Sequence, residues 1–218
     1  MTRFLHTFDN VQTLGNGQSP RRAYTDLDDL WRAAEPYMRA RRNDIHIPLS
    51  FSFAELLLDD YPDADERVAR VAILLHDVGW ARVDAEAMIT DGFRSENWRQ
   101  SDARILHEAE GCAIARELLP PLGFDDAFVT KVTDIIDGHD TRLDHRSLED
   151  AIVRDADRLW RFTPTGTAFS AEWFGRTPRE IVRQLEDGVL DELITASGRR
   201  MAEAELVRTI ELLKIDLL

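Results

Sequence analysis

The chain has 218 residues, 44% hydrophobic and 31% charged, a balance that suits a soluble globular protein long enough for one substantial core. Its 41 acidic and 27 basic side chains give a formal net charge of -14, which argues against long DNA or RNA as a partner, since a phosphate backbone needs a basic face. No 18-residue apolar stretch occurs, MTRFLHTFDNVQTLG lacks the apolar region of a secretory signal, and the single Cys112 excludes an internal disulfide. A cytoplasmic protein with no membrane partner is expected.

Residues 1–22, with Gly15, Gly17 and Pro20, read as an irregular lead to one helical domain over 23–218. Leu27, Leu30, Trp31, Ala34 and Met38 recur at helical spacing within Asp26 to Arg42, with Pro36 as a kink. His46 to Asp59 predicts the next helix, with Phe51, Ala54, Leu57 and Leu58 as its stripe. Asp63 and Glu66 stand at capping-box spacing before a run that reaches His76. Residues 83–102 read as a short helix and a loop, placed to form a wall or lid of a pocket.

Ser101 to Leu119 predicts a helix with Ile105, Ala109, Cys112, Ala113 and Leu119 on one side, Cys112 serving as core packing. Helices are also expected over Asp125 to Ile136 and from a Ser147 cap through Trp160. FTPTGTAFS reads as a loop, followed by helices over Pro178 to Ala196 and Arg200 to Leu217 that pack on the bundle, a homodimer contact being the other use for them. No alternating strand pattern is visible, so the fold class is all-α.

The apolar run VAILLHDVGW ends abruptly on His76 and Asp77. Alone, the pair is an ordinary helix C-terminus with a dipole-compensating histidine. His46 lies 30 residues before it, however, and His107, His139 and Asp157 follow, giving the order H, HD, H, H, D. Imidazole and carboxylate without cysteine suit borderline divalent ions, with iron or manganese first and zinc, cobalt, nickel or magnesium as further options. On these residues, and on AILLHDVG, the H-x-x-x-G of His107 to Gly111, the I-x-x-H of Ile136 to His139 and the A-D-x-L of Ala156 to Leu159, the chain resembles the HD superfamily of metal-dependent phosphohydrolases over about residues 42–162.

The resemblance implies an HD-type helical bundle in which His46, His76, Asp77 and Asp157 hold one divalent transition-metal ion, and His107 and His139 add a second bridged by Asp77. It further implies hydrolysis of a small phosphorylated metabolite or nucleotide. Asp77, His107 and Glu108 are the catalytic candidates, Glu108 and Glu110 as orienting or proton-transfer groups. Asp155 flanks the same apolar face as Asp157, so periodicity leaves the last ligand open; the A-D-x-L match selects Asp157 and keeps Asp155 in reserve. Trp80 departs from the family, many members of which carry lysine there. His6 and His145 fit no family position and read as surface residues, as do Lys131, Arg142, Arg146 and Arg158. A diiron HD-type oxygenase and a non-catalytic metal-binding HD domain are the alternatives.

Overall fold

Most helices start where the sequence supplies a side-chain oxygen to an otherwise unbonded backbone N–H. Ser101 accepts from Arg104 N, Asp125 from Phe128 N, Ser147 from Asp150 N, Thr163 from Gly166 N, Thr177 from Glu180 N and Thr195 from Gly198 N. Each such cap contributes about 1 kcal/mol to its helix. In the computed structural model, which describes residues 27–94 and 97–217 apart from the side chains of Trp98 and Leu217, ten α-helices and no strands are present among the described residues. They are α1 (Asp28–Ala34), α2 (Asn43–Asp60), α3 (Glu66–Leu75), α4 (Ala85–Ala87), α5 (Asp102–Leu118), α6 (Asp126–Ile136), α7 (Leu148–Leu159), α8 (Pro164–Phe174), α9 (Pro178–Asp187) and α10 (Ala196–Leu213). The all-α expectation is met.

Helix α2 packs on α3 and α7, α3 on α6 and α7, and α5 on α6. One apolar core runs from Leu27 and Leu30 through Ile73, Leu74 and Leu75 to Ile152, Leu159 and Trp160, and on to Ile181, Leu206 and Ile215 of the C-terminal helices. Helix α10 packs on α7, α8 and α2. The contact that positions the site is tighter. A Cβ on Gly79 would lie 1.9 Å from the carbonyl oxygen of His107 and 2.4 Å from the amide nitrogen of Gly111. Without a side chain at 79, the turn Val78–Arg82 seats directly on one turn of α5 and brings His107 to Asp77.

Several expected boundaries move. The first helix stops at Ala34 and continues as 3-10 turns over Glu35–Tyr37 and Ala40–Arg42, as Pro36, lacking an N–H, cannot extend an α-helix. The cap of α3 is Asp65, accepting from Val68 N, in place of Asp63. FTPTGTAFS is helical from Pro164, because Thr163 caps and Pro164 is preset for the first turn; its Pro, Gly and Thr content disguised a helix start. Helix α9 ends at Asp187, before Gly188, and α10 begins at Ala196 under its Thr195 cap.

On α5 the buried side carries Ala103, Arg104, His107, Glu108, Gly111, Cys112, Ile114 and Ala115, while Ile105 is 51% exposed. The interior face of this helix is partly polar because it serves a site, which defeats a stripe drawn from apolar residues alone. Cys112 packs in the core as expected. Residues 83–94 form α4, capped by Asp84, and a π-helical turn over Met88–Phe93. No described helix is long and apolar enough to cross a membrane. The lead over residues 1–22 and His6 lie outside the described residues.

Candidate metal centre

Five segments deliver the six predicted ligands. His46 is on α2, His76 caps the C-terminal end of α3 with Asp77 next, His107 is on α5, His139 follows α6, and Asp157 is on α7. Gly138, at φ 79°, turns the chain after α6 so that His139 faces inward. All six side chains are buried, none more than 2% exposed.

Two groups share Asp77. On its Oδ2 side, His46 Nε2 lies 3.0 Å from Oδ2, 3.0 Å from His76 Nε2 and 3.2 Å from Asp157 Oδ1. His76 Nε2 is 3.4 Å from Asp157 Oδ1 and 3.7 Å from Asp77 Oδ2. Ligand atoms about 2.1 Å from one ion stand about 3.0 Å apart at right angles and about 3.4 Å apart at the tetrahedral angle, so this spacing fits a single cation. On the Oδ1 side, His107 Nε2 and His139 Nε2 each lie 3.5 Å from Asp77 Oδ1.

The unsatisfied atoms point the same way. His107 Nε2, His139 Nε2 and Asp157 Oδ1, all facing the cluster, are buried without a hydrogen-bond partner. Leaving such atoms dry and unpaired is costly, and a cation between them removes the cost. Two of the imidazoles are anchored by the opposite nitrogen: His76 Nδ1 donates to the Ile73 carbonyl at 2.7 Å and His139 Nδ1 to the Ile136 carbonyl at 2.9 Å. Those bonds fix the tautomer that turns each Nε2 lone pair inward.

Electrostatics keep the carboxylates ionised. Burial alone would raise the Asp77 pKa, but the Arg41 charge and the surrounding imidazoles of His76, His107 and His139 hold it well below the usual range. At Asp157 burial is likewise overcome by the His46 and His76 imidazoles beside it. Burial lowers His107, whereas His139 is pushed up to about 9 despite its burial, by the neighbouring Asp77 carboxylate and the charges of Asp140 and Glu108.

The remaining candidates fall in distinct places. Asp155 points away from the cluster and accepts from Ile194 N at 2.8 Å and Thr195 N at 2.7 Å, so the α7 carboxylate in the cluster is Asp157. Glu108 accepts from the backbone N–H groups of Asp140 and Thr141, both at 2.9 Å, and from Thr141 Oγ1 at 2.7 Å. It holds the turn that carries His139, a positioning task. Glu110 pairs with Arg82 outside the cluster. Lys131 pairs with Asp65, Arg142 with Asp150, Arg146 with Asp137 and Arg158 with Glu192; the last is buried, against its surface reading. His145 is exposed.

Other residues of the site escaped the sequence reading. Asp140 is buried, ion-paired to Arg104, and groups with His139 and Asp157. Its signal was a second HD pair, His139 and Asp140. Arg41 adopts a left-handed backbone at φ 52° and sends its guanidinium onto Asp77 Oδ2, among the rings of Trp80, Phe93 and Trp173. Asn43 Nδ2 donates to the Asp77 carbonyl at 2.8 Å. Nothing local in the sequence announces either contact.

Fold and site together define an all-helical protein with a buried histidine and aspartate centre able to hold divalent metal. The HD domain family model matches residues 44–161, more than half of the chain, and the chain belongs to that family. Bacillus subtilis YpgQ, solved in complex with ADP, is similar in fold, with a TM-score of 0.53 at 18% identity over 85% of this chain and 96% of that one. No curated protein matches the sequence.

Proposed function

We propose that this chain is a metal-dependent phosphohydrolase acting on a small phosphorylated metabolite or nucleotide, with two divalent transition-metal ions, iron or manganese first among them. The observation that carries the proposal is Asp77, whose Oδ2 faces His46, His76 and Asp157 while its Oδ1 faces His107 and His139. When bound, two such ions would polarise a phosphoryl oxygen and lower the pKa of water from about 15.7 towards about 7, making a nucleophile available near neutral pH.

The protein's own groups have defined tasks in this reading. His76 and His139 are held by backbone carbonyls, so their ligating nitrogens need little reorganisation. Asp77 and Asp157 stay ionised over the neutral range. Glu108 fixes the turn after α6, and His107 is clamped by the Trp80 ring at a centroid distance of 4.1 Å. The ADP complex of YpgQ, a protein of similar fold, accords with a nucleotide-sized ligand.

The test is metal analysis of the purified full chain, then phosphate release from a panel of phosphomonoesters and nucleotides with and without air. Anaerobic release of phosphate by the iron- or manganese-loaded protein is the expected result. Substrate-dependent oxygen consumption without hydrolysis would replace the reading with an oxygenase, and inertness of a metal-replete protein would leave a binding domain.

A further inference from the structure

A cavity of about 450 Å³ is lined by Arg94, Arg104, Arg161 and Arg176, with Phe93 and Phe174. In a chain with a formal charge of -14 this is a local reversal of sign. Glu192 is the single acid among the described lining residues, and it is engaged by Arg99 at 2.6 Å and Arg158 at 3.3 Å. A concave wall of one sign focuses its field and concentrates the opposite charge.

The cavity meets the metal centre at Arg161. Its Nη2 lies 4.0 Å from Asp157 Oδ2 and 3.9 Å from Asp140 Oδ1, loose ion pairs only, and its guanidinium donates no hydrogen bond among the described residues. Asp157 turns its other oxygen to His46 and His76, so the cavity arginine stands against the outer oxygen of a proposed metal ligand. Arg104 is different, being tied to Asp140 and to the Gly92 carbonyl, and serves as fixed positive charge. Further out, Arg94 and Arg176 are exposed; Arg94 Nε donates to the Trp173 carbonyl at 3.1 Å and Arg176 Nη1 to Gln184 at 2.6 Å, which fixes where the two guanidinium groups stand. Phe93 and Phe174, packed edge to face, add apolar surface beside these charges.

We propose that this cavity binds a ligand carrying at least two phosphoryl groups, one at Arg161 beside the metal centre and a further one at Arg94 and Arg176, with its organic part against Phe93 and Phe174. The inference rests on the phosphohydrolase reading and narrows its substrate class from phosphate esters in general to diphosphates and longer. Guanidinium groups suit this task because they stay charged and offer paired donors to phosphate oxygens.

The experiment is calorimetric titration of the full-length chain with methylenediphosphonate, which resists hydrolysis, and with inorganic phosphate. Wild type should prefer the diphosphonate by about tenfold or more, the order expected for an added charge-assisted contact. Arg94→Ala combined with Arg176→Ala should erase most of that preference while changing phosphate binding less than about threefold; Arg161→Ala should weaken both ligands. Equal affinity of wild type for the two probes, or a preference that survives the double substitution, overturns the proposal. The outcomes separate from the parent reading: diphosphonate binding with these dependences but no hydrolysis retains the pocket and rejects the hydrolase. Hydrolysis of monophosphates by a protein that binds the two probes equally does the reverse.

Discussion

Trp80 donates its indole N–H to Oδ1 of Asp77 at 3.1 Å, the same oxygen that faces His107 and His139, while its ring lies 11° from parallel to the His107 imidazole. One side chain thus holds both a proposed bridging carboxylate and a proposed ligand of the second ion. Trp80→Phe keeps an aromatic ring on His107 but removes the donor that competes with a cation for Oδ1. The metal-free variant should lose about 1.5 to 3 kcal/mol of stability, the usual net worth of a hydrogen bond to a charged group. Its second ion should bind more tightly, by up to about tenfold. Calorimetric metal titration reads the second affinity directly, and weaker second-ion binding would contradict this account.

Asp77→Ala should abolish binding of both ions, whereas His139→Ala should mainly weaken the second, because the first group retains His46, His76 and Asp157. Elemental analysis of purified variants checks the pair. Unchanged metal in Asp77→Ala would remove the basis for a shared carboxylate.

The two aspartates of the DAD run should separate cleanly. Asp155→Ala leaves the N–H groups of Ile194 and Thr195 without their acceptor and should cost about 1 to 3 kcal/mol, with metal content intact. Asp157→Ala should lose metal. Thermal unfolding and metal content measured on both variants decide it, and metal loss in Asp155→Ala alone would reverse the assignment.

Gly79→Ala tests whether close approach places His107. The new methyl group would meet the His107 carbonyl oxygen at 1.9 Å, so α5 must move. A loss of about 1 to 3 kcal/mol or more is expected from overpacking against backbone, together with weaker binding of the second ion. A variant with wild-type melting temperature and metal content would show that the contact is dispensable.

Acidity should couple to metal binding with a definite sign. In the metal-free protein His139 is pushed up to about 9, so at neutral pH it carries a proton that an incoming cation must displace. Metal binding near pH 7 should therefore release protons, and affinity should rise as pH climbs towards 9. Calorimetry in buffers of different ionisation enthalpy measures the release, and none at pH 7 would contradict it. Stability of the metal-free protein follows the same shift: the His139 contribution is fully present below its unfolded pKa of about 6.5 and is lost as pH rises through the folded value. Asp77 and Asp157, with lowered pKa values, contribute above about 4 and lose that contribution as pH falls.

The sequence by itself determined the helical class and most helix starts, because periodic apolar residues and i to i+3 caps are local signals that need no partner segment. It also pointed to five of the six side chains that meet and narrowed the sixth to Asp155 or Asp157, since a ligand set spread over five segments leaves a residue pattern even though no two segments are neighbours in the chain. Only the tertiary structure decided what surrounds them. Arg41, Asn43, Arg104 and Arg161 reach the centre through backbone turns and helix packing, and their positions in the sequence look like ordinary polar surface. The polar interior of α5 and the helix hidden in FTPTGTAFS were misjudged for a related reason: periodicity measures burial of apolar groups, whereas these segments are specified by a functional interior and by a cap followed by proline. Asp155 and Asp157 were separable only in space, where one meets backbone amides and the other meets imidazoles.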